Sequence, residues 1–177
     1  MTETLIPAWV DGELTPVEKL EVHQRGLRHQ AISVFVMRDG KVLMQRRALG
    51  KYHTPGLWAN TCCTHPHWGE PSETCALRRL GEELGLSGIP LTPRGTVEYR
   101  ADVGGGLIEH EVVDLFIGEA PAGMEPNPNA DEVCDTAWMA PDDLTRDVAE
   151  QPDRYVPWLK IYLRDHADRI LDTVGAS

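Results

Sequence analysis

The chain is short of positive charge, has no CxxC pair among its four cysteines, and carries no apolar run long enough to cross a bilayer. Each shortage closes off a class of protein. With 17 Lys and Arg against 28 Asp and Glu, the net charge is −11, which repels nucleic acid and anionic membranes alike. An anionic ligand must therefore be held by a local basic cluster or by bound metal. Four cysteines, two of them adjacent, do not match the disulfide framework of a small secreted domain. The opening residues, MTETLIPAWVDGEL, have no basic region, and Glu3 and Asp11 surround a short apolar patch. No signal peptide is expected there, and a cytoplasmic location is. Internal repeats and low-complexity tracts are also lacking.

What remains is an ordinary globular composition, 41% apolar and 25% charged. At 177 residues the chain is long enough for one domain with a substantial core and too short for two. Ala31–Met37 and Lys41–Gln45 flank Arg38-Asp39-Gly40 and predict a β-hairpin. Another strand is expected at Leu57–Cys63. A helix should start near Pro71 and stop at Gly85. Thr96–Ala101 and Leu107–Gly118 read as strands joined around Gly104-Gly105-Gly106. A loop over 120–129 then leads to a strand at Cys134–Met139, and helices are expected at 141–150 and 157–171. The predicted class is α+β, with mixed β-sheets flanked by helices.

Chemistry-bearing residues concentrate in Asn60–Leu86, NTCCTHPHWGEPSETCALRRLGEELGL. Cys63-Thr64-His65 and Glu109-His110-Glu111 each place donors at i and i+2, on one face of an extended segment. His23 and His29 lie upstream. Three imidazoles and two carboxylates could converge on one cation of the Mn²⁺ or Zn²⁺ type. Spacing alone leaves open that they are scattered surface residues. On the predicted helix, Ala76, Leu80 and Leu84 form an apolar stripe, while Arg79 and Glu83 share another face. A solvated, salt-bridged helix is the alternative reading.

The pattern Glu70-x7-Arg78-x3-Glu82-Glu83-x-Gly85-Leu86 resembles the Nudix box, whose glutamates hold metal on a diphosphate. Two positions depart from it. Thr64 stands where the opening glycine is expected, and Arg79 replaces the first glutamate of the metal-binding run. Taken with NTCCTHP, His23, His29, RRALGKYHTPGLW and IEHEV, in order from about Lys19 to Trp158, the chain resembles the type I isopentenyl-diphosphate isomerases.

That resemblance implies one Nudix-like domain over residues 1–177, with a segment at 1–28 contributing ligands and a C-terminal helix at 157–171. It implies interconversion of isopentenyl diphosphate and dimethylallyl diphosphate through a carbocation-like intermediate, in isoprenoid biosynthesis. On the family pattern Cys63 and Glu111 transfer protons, with Tyr99 beside Glu111. His23, His29, His65, Glu109 and Glu111 hold Mn²⁺ or Zn²⁺. Glu83, with the backbone carbonyl of Cys63, holds Mg²⁺. Lys19, Arg47, Lys51 and Arg79 bind the diphosphate, and Trp158 stabilises the cation. Between the two adjacent thiols, strand parity favours Cys63, which shares its side with His65, and leaves Cys62 as a small buried residue. Arg46 reads as an outward-facing neighbour of Arg47.

The expected partner is the small-molecule substrate, with no nucleic acid and no membrane, and a monomer is favoured. Two rivals remain. A pyrophosphohydrolase needs the carboxylate that Arg79 has replaced. A binding module would use Cys62, Cys63, His65 and Cys75 as a structural zinc site.

Overall fold

In a computed structural model, residues 4–51 and 54–170 are described. The chain opens with a hairpin that the sequence reading did not predict. Asp11 and Gly12 both take positive φ, 51° and 82°, as a two-residue hairpin loop requires. They fold Leu5–Val10 (β1) back onto Glu13–Glu18 (β2). A seven-residue helix, Lys19–Arg25 (α1), follows at once. The Glu18 carboxylate accepts from Glu21 N at its start, and Gly26 closes it in the left-handed region.

The predicted central hairpin is present as His29–Arg38 (β3) and Lys41–Arg47 (β4). β3 is buried along nearly its whole length, because the sheet is covered on both faces. The single strand expected at Leu57–Cys63 is instead two, Trp58–Asn60 (β5) and Cys62–Thr64 (β6). Thr61 interrupts it for a local reason. Its hydroxyl accepts from Val36 N at 2.9 Å and donates to Leu43 O at 2.6 Å, taking the place of ladder bonds.

Ser72–Leu84 (α2) buries Ala76, Leu80 and Leu84 as its apolar stripe predicts. It ends at Gly85, where φ is 64° and a Cβ would lie 2.9 Å from Asn127 O, so glycine is needed for both backbone and space. Leu91–Gly104 (β7) and Leu107–Glu119 (β8) form a hairpin longer than expected, and Val133–Met139 (β9) pairs with β4. Pro141–Glu150 (α3) matches its prediction, and a 3-10 turn follows at Pro152–Arg154. Pro157–Asp165 (α4) is shorter than expected. The backbone leaves the helix at His166 and resumes at 167–170, while Leu171, the predicted end, lies outside the described residues.

These strands join one mixed sheet, in which β3 with β8 is the only parallel pair of strands among the described residues, beside one isolated parallel bridge between Trp58 and Tyr155. Alternation along β3 sorts the core into two layers. Ala31, Phe35 and Met37 face Leu159 and Tyr162 of α4, whereas Ile32, Val34 and Val36 face Leu80 and Leu84 of α2. His29 and Ser33 have the parity of the first layer. α1 and the β1–β2 hairpin close over the end of that layer through Ile6, Ala8, Val17 and Val22.

Candidate active site

The register of the sheet assembles the site. β8 runs between β3 and β7, so Glu111 is paired with His29 on one side and with Tyr99 on the other. Glu109, two residues earlier, shares its face. His110 points the opposite way and meets Glu98 at 3.2 Å. β6 lies beside β3 with Cys63 opposite Ser33. α1 brings His23, and the turn after β6 brings His65.

The three imidazoles form a near-equilateral triangle, with ring centroids 5.0, 5.1 and 4.9 Å apart. Donor atoms of His23, His29, His65 and Glu109 all lie within 4.8 Å of one another, and all four residues are buried. Glu109 stands 3.0 Å from His23 Nε2 and 3.4 Å from His29 Nε2, while Glu111 is 2.7 Å from His65 Nε2 and 3.3 Å from His29 Nε2. The outer nitrogens are fixed by the backbone. Nδ1–H of His23 donates to Lys19 O and that of His29 to Leu27 O, each at 2.7 Å. Both rings thus turn Nε2 inward, the arrangement metal-ligating histidines take.

Four buried donors around one point fit a divalent ion of the imidazole-binding kind, and His29 Nε2 makes no hydrogen bond of its own despite its two carboxylate neighbours. Without an ion, burial pulls the His29 pKa down, but the carboxylates of Glu109 and Glu111 outweigh it and raise the value to about 10. Burial pushes Glu109 up, yet the three histidines hold it well below the usual carboxylate range.

Cys63 is the centre of a second network. Its thiol donates to Asn60 Oδ1 at 3.0 Å, Ser33 Oγ is 3.3 Å from the sulfur, and Trp158 Nε1–H donates to it at 3.2 Å. The amide of Asn60 cannot be reversed without loss, because its Nδ2 donates to Val34 O at 2.9 Å and Ser33 Oγ at 2.8 Å. Burial pushes the Cys63 thiol up to about 12, against the opposing pull of Ser33 and Trp158. At neutral pH this sulfur keeps its proton. Tyr99 donates its hydroxyl to Glu111 Oε1.

Cys62, one residue earlier, points into the opposite core layer. Among the described residues, the metal-ligand group contains no cysteine, and Cys75 packs beside Cys62 in that layer, away from the histidines.

Lys19, Arg47, Lys51, Arg79 and Glu83 line the same cavity as Cys63, Tyr99, Glu109, Glu111 and Trp158, with a volume of about 40 Å³. A neighbouring cavity of about 200 Å³ shares Lys19, Lys51, His65 and Arg79 and adds Arg78. The cluster is basic in a chain of net charge −11. Burial, together with Lys51 and Arg79, pulls the Lys19 pKa down. Arg46 points away and donates to Gly56 O.

A NUDIX domain model matches residues 27–159. An isopentenyl-diphosphate Delta-isomerase of Rhodobacter capsulatus is 61% identical over 99% of this chain and 100% of its own. One from a Jannaschia species is 64% identical over 95% of this chain and 96% of its own. This chain belongs to the isopentenyl-diphosphate Delta-isomerase family. Among solved structures, DR0079 from Deinococcus radiodurans superposes with a TM-score of 0.72 over 93% of this chain and 99% of its own at 14% identity, which shows the shared fold.

The structure brings together every residue that the family pattern singled out. It also adds four that the sequence reading passed over. Asn60 stood inside the quoted NTCC stretch, but nothing in its spacing marks it as the partner of a thiol three residues on. Ser33 reaches the same sulfur only through strand pairing. Gln45 is a lone amide after the short apolar run Val42–Met44. Glu132 joins the basic group, bonded to Lys51 and 3.4 Å from Arg79 Nη2, and an acidic residue in a proline- and asparagine-rich neighbourhood gives no such signal.

Proposed function

We propose that this isomerase-family member interconverts isopentenyl diphosphate and dimethylallyl diphosphate, with Cys63 and Glu111 exchanging protons with the substrate carbons. The supporting observation is that a protonated thiol and a carboxylate, on separate strands, line one cavity together with Lys19, Arg47, Lys51 and Arg79. Moving the double bond adds one proton and removes another with no group transferred, so the reaction calls for an acid, a base, exclusion of water and a firm grip on the diphosphate. Burial keeps the proton on Cys63 in the resting site. Of the Cys63–Glu111 pair, one member gives a proton to an alkene carbon while the other takes one from the carbon two bonds away. Tyr99 and His65 hold the two oxygens of Glu111. Trp158 closes the cavity beside Cys63, where its ring can stabilise positive charge that no hydrogen bond could reach.

His23, His29, His65, Glu109 and Glu111 would hold Mn²⁺ or Zn²⁺, and Glu83 with the Cys63 carbonyl would hold Mg²⁺ on the diphosphate. When bound, such ions supply positive charge that makes a carboxyl proton easier to give up and neutralises phosphate oxygens. Lys19, Arg47, Lys51 and Arg79 grip the diphosphate, the arginines through two-point contacts. Arg79 puts a cation where a hydrolase keeps a ligand, and this favours binding of diphosphate without cleavage.

One domain over residues 1–177 accounts for the site, since His23 from the N-terminal segment and Trp158 from α4 reach it together. The proposed oligomeric state is a monomer. Among the described residues no helix is long and apolar enough to cross a membrane; the proposed location is the cytoplasm. The test is incubation with isopentenyl diphosphate, Mg²⁺ and deuterated water. Dimethylallyl diphosphate carrying deuterium is the expected product. Release of phosphate without isomerisation would restore the hydrolase reading.

A further inference from the structure

Gln45 is an amide in the buried centre of β4, where a sheet covered on both faces calls for an apolar side chain. A buried amide costs stability unless its hydrogens are used. Both are. Nε2 donates to Thr61 O at 2.7 Å and to Glu83 Oε1 at 3.1 Å. The carbonyl of Thr61 can only accept, so it fixes the amide nitrogen toward Glu83. The other carboxylate oxygen has its own partner, because the Cys62 thiol donates to Glu83 Oε2 at 3.2 Å. A carboxylate oxygen can only accept, so the thiol is the donor in this pair. Arg79 Nη2 stands 3.3 Å from the same oxygen, on the cavity side.

We propose that Gln45 and Cys62 are positioning residues for Glu83: from behind the site they hold one oxygen each, fixing the carboxylate that meets a diphosphate-bound divalent ion. This rests on the reading of Glu83 as the Mg²⁺ ligand. It gives the second thiol of the NTCC stretch a role distinct from that of Cys63. It also explains the amide in β4, which packing alone does not require.

The test uses the full chain and inorganic diphosphate, with binding followed by calorimetry across a Mg²⁺ titration. Removing an outer partner of a metal ligand typically weakens the metal by roughly tenfold or more. Gln45→Met and Cys62→Ala are each expected to raise the Mg²⁺ concentration for half-maximal binding by about that factor. Cys62→Ser keeps a donor and should stay near the parent. In a Glu83→Gln background, Gln45→Met should add nothing further, which a merely structural role would not produce. The transition-metal content of the histidine cluster should be the same in all of them.

The inference is overturned if Gln45→Met and Cys62→Ala lower thermal stability but leave the Mg²⁺ midpoint in place. It is equally overturned if Cys62→Ser behaves like Cys62→Ala, or if the effect of Gln45→Met persists without the Glu83 carboxylate. Should Glu83→Gln itself leave the Mg²⁺ midpoint unchanged, the placement of Mg²⁺ at Glu83 fails and the inference falls with it. Isomerisation by the unmodified chain is a separate result and decides the catalytic reading alone.

Discussion

Trp158 donates its indole N–H to the sulfur of Cys63 across 3.2 Å, so the start of α4 is tied to the thiol by the edge of the ring. The Arg47 guanidinium lies 5.6 Å from the ring centroid. The tryptophan therefore has two separable contributions, a donor at its edge and a π face. Phenylalanine keeps a weaker face and loses the donor, while leucine loses both. A hydrogen bond of this kind is worth about 1 kcal/mol, and a desolvated cation–π contact about 2 kcal/mol. Turnover should fall from tryptophan to phenylalanine by about fivefold or more, and again to leucine, with similar melting temperatures for the two variants. If Trp158→Leu matches the turnover of Trp158→Phe, the residue only packs.

Opposite orientation of the two adjacent thiols leads to unequal losses. Cys63→Ala should abolish isomerisation, because a positioned proton-transfer group contributes about 10²–10⁴ in rate. Cys62→Ala should keep most of the turnover at saturating Mg²⁺, since its sulfur faces Glu83 and the core rather than the cavity that Cys63 lines. Folding is checked by circular dichroism. Equal, severe losses in two folded variants would remove Cys63 from its assigned role.

These two residues illustrate how far the sequence could be read. Alternation along a strand is a local rule, so the side taken by Cys63 and His65 was accessible from spacing, as were Glu109 and Glu111. The helix Ser72–Leu84 announced itself through its apolar stripe and the glycine that caps it. What spacing could not supply was pairing across distance. Asn60, Ser33 and Gln45 act through strands that meet only once the sheet has formed, and no local pattern ranks them above other buried polar residues. The first hairpin was different. Its Asp11-Gly12 turn was in plain view, but Pro7 and Pro16 within the flanking strands disguise it, since proline is disfavoured inside sheets. α1 is too short to show helical periodicity.

Two separate ligand groups predict two ions of different tightness. The histidine cluster should retain a transition metal through dialysis, and either His29→Ala or Glu109→Ala should release it. Glu83 offers one carboxylate, and an ion held with diphosphate oxygens should bind weakly and exchange freely, as magnesium does. Chelation should remove the first ion slowly and abolish activity, with restoration by Mn²⁺ or Zn²⁺ but not by Mg²⁺ alone. Elemental analysis of the active, substrate-bound protein showing one ion per chain would count against this.

Glu70 and Arg78 join the loop after β6 to α2 through two parallel bonds, Nε to Oε2 at 2.7 Å and Nη2 to Oε1 at 2.8 Å. Glu70 also accepts from His67 N at 3.1 Å, so one carboxylate fixes the turn that follows His65. Arg78 holds the Glu70 carboxyl down to about 2, from an ordinary value of 4.5. Because the folded value is the lower one, the stabilisation is complete above the ordinary value and is lost as pH falls toward the folded one. The pair is partly exposed, with Arg78 at 25% and Glu70 at 13%, so its contribution is set at about 1 kcal/mol. Glu70→Gln should therefore destabilise the protein by about 1 kcal/mol at neutral pH in urea unfolding. The gap between variant and parent should hold steady down to about pH 4.5, shrink below it, and be largely gone near pH 2. Comparing the two proteins at each pH cancels the titration of the other carboxylates. A gap that stays constant down to pH 2 would mean that Glu70 acts through packing and not through its charge.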